Sequence, residues 1–331
     1  MEYQLFRINF KTPLHLSDPR GDYGYSEKLL HSDTLYAALI SALARIGKLG
    51  SVSATGDLEC TITSLFPFVK YDDKFRYFFP RPFGNILVDE QQQKLKLKEL
   101  KRIAWLEQPC YEAMLKKQQI QLDDKKGNFI FGKYLSSFPI EEDFMFAQTV
   151  PRIAVPRSQS ENNGDTRIFY MERIYFTENA GLFFLAQGHT PILEEALQVL
   201  QHEGIGTDRN VGQGFFEFEK EDHFSLNVPD EADHATNLSL FCPTDQSELM
   251  GIQQSKHARW EILKRGGWIN TDGLTGVRKK SVHMFREGSV LQTPKAVLGK
   301  VNVDLTPRAE GLMVDHTIWR CGRSIFIPIK T

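Results

Sequence analysis

Apolar and polar positions along the first 50 residues predict one strand followed by one helix. Residues 3–10 alternate weakly between the two types, which is typical of a strand with one buried face. Further along, apolar side chains recur at helical spacing, at Leu35, Leu39, Leu43 and Ile46. Ser32 or Asp33 is placed to cap this helix, and Gly47 is placed to end it.

A second helix, a glycine-rich loop and a strand follow one another between residues 190 and 219. Thr190 and Pro191 suit the start of a helix whose leucines share one face. Phe216 and Phe218 alternate with glutamates, which is typical of a half-buried strand. The glycine-rich loop between them, residues 204–214, contains four glycines.

The glycine-rich loop is a candidate binding element. Dinucleotide-binding folds and P-loops run strand, loop, helix, whereas this segment runs helix, loop, strand. The loop therefore does not place a phosphate at a helix N-terminus. Its main-chain N–H groups can still approach an extended polyanion, with Arg209 and Asn210 in reach. The alternative is a turn whose glycines only satisfy positive φ angles.

A β-hairpin is predicted ahead of this loop, because residues 151–157 and 166–176 are strand-like and a polar tip joins them. On the second strand, Arg167, Phe169 and Arg173 share one face. Arginines interleaved with aromatic side chains suit stacked bases and phosphates. Packing of the hairpin on its own domain is the alternative.

These elements predict an α+β protein made of two ferredoxin-like (RRM-like) βαββαβ domains, with a helical insertion in the first domain and a protruding β-hairpin thumb. The lysine-rich stretch at residues 93–120 is predicted to form one helix of that insertion. We expect the following division: a first domain at residues 1–220 (insertion about 60–147, thumb about 150–176, glycine-rich loop 204–214), an acidic linker at 221–236, and a second domain at 237–331.

Charge is segregated along the chain of 331 residues, although its net charge is only −2. Residues 217–233 contain seven acidic residues against one lysine, whereas residues 256–286 contain eight basic residues against two acidic ones. A local basic surface on a nearly neutral protein suits a subunit that holds one RNA segment within a larger assembly. Four scattered cysteines without a C-x-x-C pair favour the cytoplasm, and the sequence shows neither a signal peptide nor a membrane span.

The motifs of metal-dependent and nucleophilic catalysis, H-E-x-x-H, a Cys–His zinc pattern, G-x-S-x-G and the P-loop, are missing from the sequence. We therefore expect no catalytic residue, no metal and no cofactor. One hypothesis remains for acid–base chemistry: His31, beside Ser32 at a helix N-terminus, as the general base of metal-free RNA cleavage. The alternative, a His31 that packs or contacts RNA, is favoured because no partner acid is evident.

Four segments together resemble the RAMP proteins of CRISPR interference complexes, and are most similar to the subunit-four family of the Csm, or type III-A, complex. They are residues 31–35, residues 79–82, the hairpin between residues 151 and 175, and the glycine-rich loop before Phe215. The C-terminal third resembles this family only in outline, through the basic residues 278–280 and a terminal strand at 324–329.

The resemblance implies a non-catalytic subunit that holds the 5′ handle of the CRISPR RNA (crRNA). It also implies docking to the large multidomain nuclease and cyclase subunit and to the adjacent backbone RAMP. The alternatives are a RAMP endoribonuclease that processes repeat RNA with His31 as its base, and the equivalent handle subunit of another type III subtype. The RNA-binding residues expected on this basis are His31, Ser32, Arg152, Arg157, Arg167, Gly204, Gly206, Arg209, Asn210, Gly212, Gln213, Gly214, Arg278, Lys279 and Lys280.

Overall fold

A computed structural model describes residues 1–17, 24–51, 56–123, 127–154, 167–269, 276–293, 296–308 and 316–331. The α-helices are Ser32–Arg45 (α1), Glu90–Leu95 (α2), Leu97–Arg102 (α3), Gln108–Leu115 (α4), Pro191–Glu203 (α5) and Gln246–Gln253 (α6). The strands are Glu2–Phe10 (β1), Cys60–Ile62 (β2), Phe66–Tyr71 (β3), Lys74–Pro80 (β4), Trp105–Glu107 (β5), Phe129–Phe131 (β6), Tyr134–Ser136 (β7), Met145–Ala154 (β8), Arg167–Phe176 (β9), Ala180–Gly188 (β10), Phe216–Ser225 (β11), His234–Asn237 (β12), Ile262–Arg265 (β13), Val282–Phe285 (β14), Val290–Leu291 (β15), Val297–Leu298 (β16), Val303–Asp304 (β17), Trp319–Arg320 (β18) and Ser324–Ile329 (β19).

The predicted α+β class is confirmed: a mixed sheet carries two helices in the N-terminal part. Its strands run in the order β11-β1-β10-β3-β4-β5-β7-β6, and β2 also pairs with β10. The predicted helices α1 and α5 pack against each other. Their leucines join the phenylalanines of β1 and β10 in one core, because each helix has an apolar stripe that must be buried against the sheet.

The segment from Cys60 onward is built differently from the prediction. β2 and β3 pair with β10, so they belong to the main sheet rather than to an insertion. The single helix predicted at residues 93–120 is wrong: β5 separates α3 from α4. Trp105 and Leu106 pair with β4 and are buried, and α4 then begins at Gln108 with Pro109 in its first turn. The lysines that suggested one long helix lie on the two short, exposed helices before β5.

The predicted hairpin is formed by β8 and β9, which pair antiparallel and in register, with Met145 opposite Phe176 and Ala154 opposite Arg167. The predicted tip of the hairpin, together with Arg157, lies outside the described residues. The backbone of Arg167 is described as part of β9, whereas its side chain lies outside the description. The hairpin stands apart from the large sheet as its own two-stranded sheet.

In the described residues the C-terminal part has a four-stranded sheet in the order β15-β12-β19-β16 and a separate β13–β14 hairpin. A small core of Phe241, Phe285 and Phe326 holds them together. The acidic stretch is not wholly a linker, because its first half is the edge strand β11. Residues 226–233 lie between β11 and β12, within the predicted linker of residues 221–236.

Candidate nucleic-acid interface

The glycine-rich loop and the hairpin are attached to the same short segment, residues 13–16. Leu14 exchanges both backbone hydrogen bonds with Ile174 of β9, at 2.9 and 2.7 Å. From the other side, the N–H of Thr207 donates to the carbonyl of His15 at 2.9 Å, and the N–H of Gly214 donates to Pro13 at 2.9 Å. The structure therefore brings together two elements that are about 30 residues apart in the sequence and were both predicted to contact RNA.

Three of the four loop glycines are required by packing within the chain itself. Gly204 and Gly206 have φ angles of +79° and +93°, and a Cβ atom on either would lie 2.6 Å from a carbonyl oxygen. A Cβ on Gly214 would overlap the carbonyl of Ile205. Gly212, with φ of +83°, has open space around it. The turn alternative thus accounts for the inner glycines, and Gln213 beside them is buried.

Residues 208–212 form the outward part of the loop, around a single 3₁₀ turn at Arg209–Val211. Arg209 is partly exposed and Asn210 is exposed. Asp208 has a left-handed backbone with φ of +61°, and its carboxylate forms an ion pair with Arg152 of the hairpin. This bridge was not predicted, because it joins residues 56 positions apart.

The two faces of the hairpin differ in polarity and exposure. Arg152 turns inward, where it contacts Asp208, the sulfur of Met171 at 3.8 Å and the ring of Phe169 at 6.0 Å. The opposite, outward face is apolar: the side chains of Ile153, Ile168 and Tyr170 are 59, 63 and 61% exposed. Ile153 lies directly opposite Ile168, so they form one continuous patch.

His31 and Ser32 are buried, at 6 and 4% exposure, which corrects the expectation that they contact RNA. Nδ1 of His31 lies 2.8 Å from Oε1 of Glu287. The hydroxyl of Ser32 accepts a hydrogen bond from the N–H of Leu240 at 3.0 Å. Both side chains hold α1 against the C-terminal part of the chain. The environment of His31 agrees with the packing alternative rather than with an accessible general base.

Asp33 continues this junction between the two parts. Its fully buried carboxylate accepts two hydrogen bonds from Arg265, at 3.0 and 3.1 Å, and also pairs with Arg320. Burial by itself would raise the pKa of Asp33, but Arg265 and Arg320 hold this pKa well below its ordinary value. Burial would likewise raise the pKa of Glu287, whereas His31 and the hydroxyl of Ser64 keep it lowered.

These two carboxyl groups predict a stability that falls in acid. A carboxyl whose pKa is lower in the folded than in the unfolded state stabilises the fold above the unfolded pKa of about 4. That contribution is lost as the pH falls toward the folded value. From pH 5 downward, each group should reduce the free energy of unfolding by up to about 1.4 kcal/mol per pH unit. Urea unfolding between pH 7 and pH 3 measures this slope, and Asp33→Asn should make it shallower; an unchanged slope contradicts the assignment.

The basic residues 278–280 lie beside this junction. Arg278 is exposed, and its guanidinium lies 4.6 Å from the ring centroid of Trp268. Lys279 is partly buried, and both burial and the nearby Arg320 lower its pKa. Lys280 is also partly buried. Of these three residues, Arg278 thus offers the most accessible cation.

Within the described residues, no group of three or more His, Cys, Asp and Glu side chains is arranged to hold a metal ion. The cysteines are free, and burial raises the pKa values of Cys60 and Cys321 to about 12. The described helices also lack the length and apolar character needed to cross a membrane.

Comparison with known proteins agrees with the resemblance found in the sequence. Residues 230–329 match the family described as the CRISPR Csm4 C-terminal domain. The chain is 24% identical over 304 residues to "CRISPR system Cms protein Csm4" of Thermococcus onnurineus (strain NA1), covering 87% of this chain and 89% of that protein.

Two solved structures share the fold over the whole chain. One is the Csm3-Csm4 subcomplex of the type III-A CRISPR-Cas interference complex, with a TM-score of 0.61, 14% identity and full coverage of both chains. The other is the Csm1-Csm4 cassette in complex with pppApA, with a TM-score of 0.60, 18% identity, and coverage of 100% of this chain and 98% of that one. Residues 230–329 therefore form a Csm4 C-terminal domain, and the chain is similar to Csm4 proteins over most of its length.

Proposed function

We propose that this chain is a non-catalytic subunit of a type III-A CRISPR interference complex in the cytoplasm, and that it binds the 5′ handle of the crRNA. The observation that carries the proposal is the common attachment of the glycine-rich loop and the hairpin to residues 13–16. This attachment fixes Arg209 and Asn210 beside a hairpin whose outer face is apolar. RNA recognition needs both kinds of surface: cations for phosphates and apolar or aromatic groups for bases.

The outward part of the loop, residues 208–212, is the proposed phosphate contact. Gly212 leaves room there for the close approach of an RNA backbone, and Arg209 supplies a charge-assisted hydrogen-bond donor for its phosphates. Gly204, Gly206, Gln213 and Gly214 shape the loop from inside. Arg157 and Arg167 are also proposed to contact phosphates, and so is Arg278 in the C-terminal part.

The apolar face of the hairpin is the proposed wedge of the thumb. Ile153, Ile168 and Tyr170 would cost free energy if they stayed in water, because each exposes more than half of its side chain. Apolar side chains inserted between nucleotides unstack them and bend the strand. We therefore place the bend between handle and guide at this face, with the loop holding the handle.

Docking to the large multidomain subunit and to the adjacent backbone RAMP is part of the same proposal. Related Csm4 chains have been solved in a Csm1-Csm4 cassette and in a Csm3-Csm4 subcomplex. The equivalent handle subunit of another type III subtype remains the alternative function. The endoribonuclease alternative is disfavoured because His31 is buried against Glu287, where an RNA hydroxyl has no access.

The division into two ferredoxin-like domains also remains a proposal. The strand order β11-β1-β10-β3, with helices after β1 and β10, supports it for the first domain. For residues 237–331 it rests on the strand-rich C-terminal part and on the resemblance. The thumb at about 150–176 and the boundary near residue 226 belong to the same division.

Arg209→Ala should weaken binding of single-stranded handle RNA and flatten its salt dependence. Each phosphate neutralised on a single strand contributes a slope of about −0.7 in log K against log salt, so the slope should fall by about 0.7. Fluorescence anisotropy with labelled handle RNA at several salt concentrations measures both quantities. Lys74→Ala, at an exposed position of the β3–β4 turn, is the matched control and should change neither. An Arg209→Ala protein with wild-type affinity and slope would refute this placement of the site.

A further inference from the structure

We propose that the C-terminal part carries a second surface for single-stranded RNA, which we call the tryptophan ribbon. It consists of Trp260, Ile262, Lys264 and Trp268 on one extended segment, with Arg278 and His283 on the segment paired to it. None of these residues except Arg278 belongs to the handle site proposed above. The inference rests on the proposed function only in taking RNA as a ligand of this chain.

Buried and exposed side chains are interspersed along the segment. Arg265 and Ile269 point into the protein, where Arg265 is 7% exposed and binds Asp33. Three apolar side chains of the segment are exposed: Trp260 is 40%, Ile262 48% and Trp268 51% exposed, and the ring of Trp260 also packs edge-on against Phe285. Tryptophan is highly buried on average in folded proteins, so two exposed tryptophans on one short segment indicate a binding surface.

The charges on this face are complementary to a polyanion. Arg278 lies over the ring of Trp268 at 4.6 Å, and exposed Lys264 is directly opposite exposed His283. Besides the buried Arg265, residues 260–269 and 276–286 contain five Lys and Arg residues and a single acidic residue, Glu261. Glu261 is already paired with Arg286 at 2.7 Å. No carboxylate on these segments is therefore left to repel a phosphate.

The chemistry favours single-stranded RNA over a protein partner. Bases stack on indole rings and on guanidinium planes, and this stacking tolerates any base sequence. A protein interface centred on tryptophan and isoleucine would gain little from the surrounding lysine and arginine, unless its partner were acidic. Extended chain rises about 3.3 Å per residue, so the two indoles are separated by at most ~26 Å of chain, enough for several nucleotides.

The ribbon segment is also tied to the hairpin through buried contacts. Two adjacent residues link the surfaces: the N–H of Ser26 donates to Glu172 of β9 at 2.8 Å, while Glu27 pairs with Arg265 of β13 at 3.2 Å. The hairpin and the ribbon segment are therefore held close to one another by neighbouring residues of the fold. The ribbon would hold nucleotides that adjoin the segment bound at the loop.

The test uses the full-length chain and a labelled ten-nucleotide oligouridylate. Trp268→Ala should weaken binding about tenfold, since stacking of one base contributes about 1–3 kcal/mol, a factor of about 5 to 150. It should leave the salt slope unchanged because it removes no charge. Lys264→Ala should instead flatten the slope by about 0.7. Titration with the RNA should quench tryptophan fluorescence, and Trp268→Phe should remove part of that quenching.

The matched control is Met250→Ala, which removes an apolar side chain that is 57% exposed on α6. Wild-type RNA affinity in Trp260→Ala, Trp268→Ala and Lys264→Ala would overturn the inference. A second result would also overturn it: these variants lose the large subunit from the purified complex while their RNA affinity stays unchanged. The ribbon would then be a protein interface. If Arg209→Ala leaves affinity unchanged while Trp268→Ala weakens it, the handle site fails and the ribbon stands.

Discussion

Asp33→Asn should lower the free energy of unfolding by about 3–5 kcal/mol, the usual cost of removing one partner from a buried ion pair. The carboxylate of Asp33 is fully buried and is shared by Arg265 and Arg320. The amide keeps the size of the side chain but not its charge. Arg320 then loses its carboxylate, whereas Arg265 keeps the carboxylate of Glu27 at 3.2 Å and the hydroxyl of Thr34 at 3.1 Å.

Urea unfolding monitored by circular dichroism at pH 7 measures this loss. The matched control is Asp222→Asn, because Asp222 also pairs with a basic residue, Lys220 at 2.9 Å, but its side chain is 63% exposed. Exposed pairs contribute about 0–1 kcal/mol. Similar costs for the two substitutions would show that the junction does not depend on this carboxylate. A cost confined to Asp33 also predicts weaker attachment of the C-terminal part, seen as faster proteolysis of residues 226–233.

The elements with strong periodicity were predictable from sequence. α1, α5, β1 and the β8–β9 hairpin were all located, because their apolar spacing or their turn residues reflect local physics. The helix predicted at residues 93–120 failed for the opposite reason. Its Trp105–Glu107 segment becomes a strand through pairing with β4 and β7, which local spacing does not reveal.

The candidate site shows the same limit at the level of side chains. The His31-Ser32-Asp33 segment was recognised as unusual, but its partners Glu287, Leu240 and Arg265 lie more than 200 residues away in the chain. A sequence that predicts a helix cap does not predict what packs on it. The pairing of Arg152 with Asp208 was likewise not predictable, because this contact depends on the common attachment of the hairpin and the loop to residues 13–16.

Substitutions at two glycines of the loop separate the free-energy cost of overpacking from the cost of a left-handed backbone conformation. Gly212 and Gly214 both have left-handed backbones, with φ of +83° and +75°. Gly212→Ala should therefore cost about 1–2 kcal/mol, the penalty of placing an L-residue in that region. Gly214→Ala should cost about 3 kcal/mol more, the upper end of the usual range for overpacking, since its Cβ would overlap the backbone carbonyl of Ile205.

The same pair tests which part of the loop faces RNA. The N–H of Gly214 already donates to the carbonyl of Pro13 at 2.9 Å, so it has no proton left for a phosphate. Gly214→Ala should reduce the folded fraction, measured by urea unfolding, without changing handle-RNA affinity per folded molecule. Gly212→Ala should cost less stability than Gly214→Ala. It places a methyl group where the loop is open, so it should weaken RNA binding. Equal unfolding costs would show that the inner glycines are not packing residues. Weakened binding in Gly214→Ala alone would move the RNA contact from the outward residues 208–212 to the inner side of the loop.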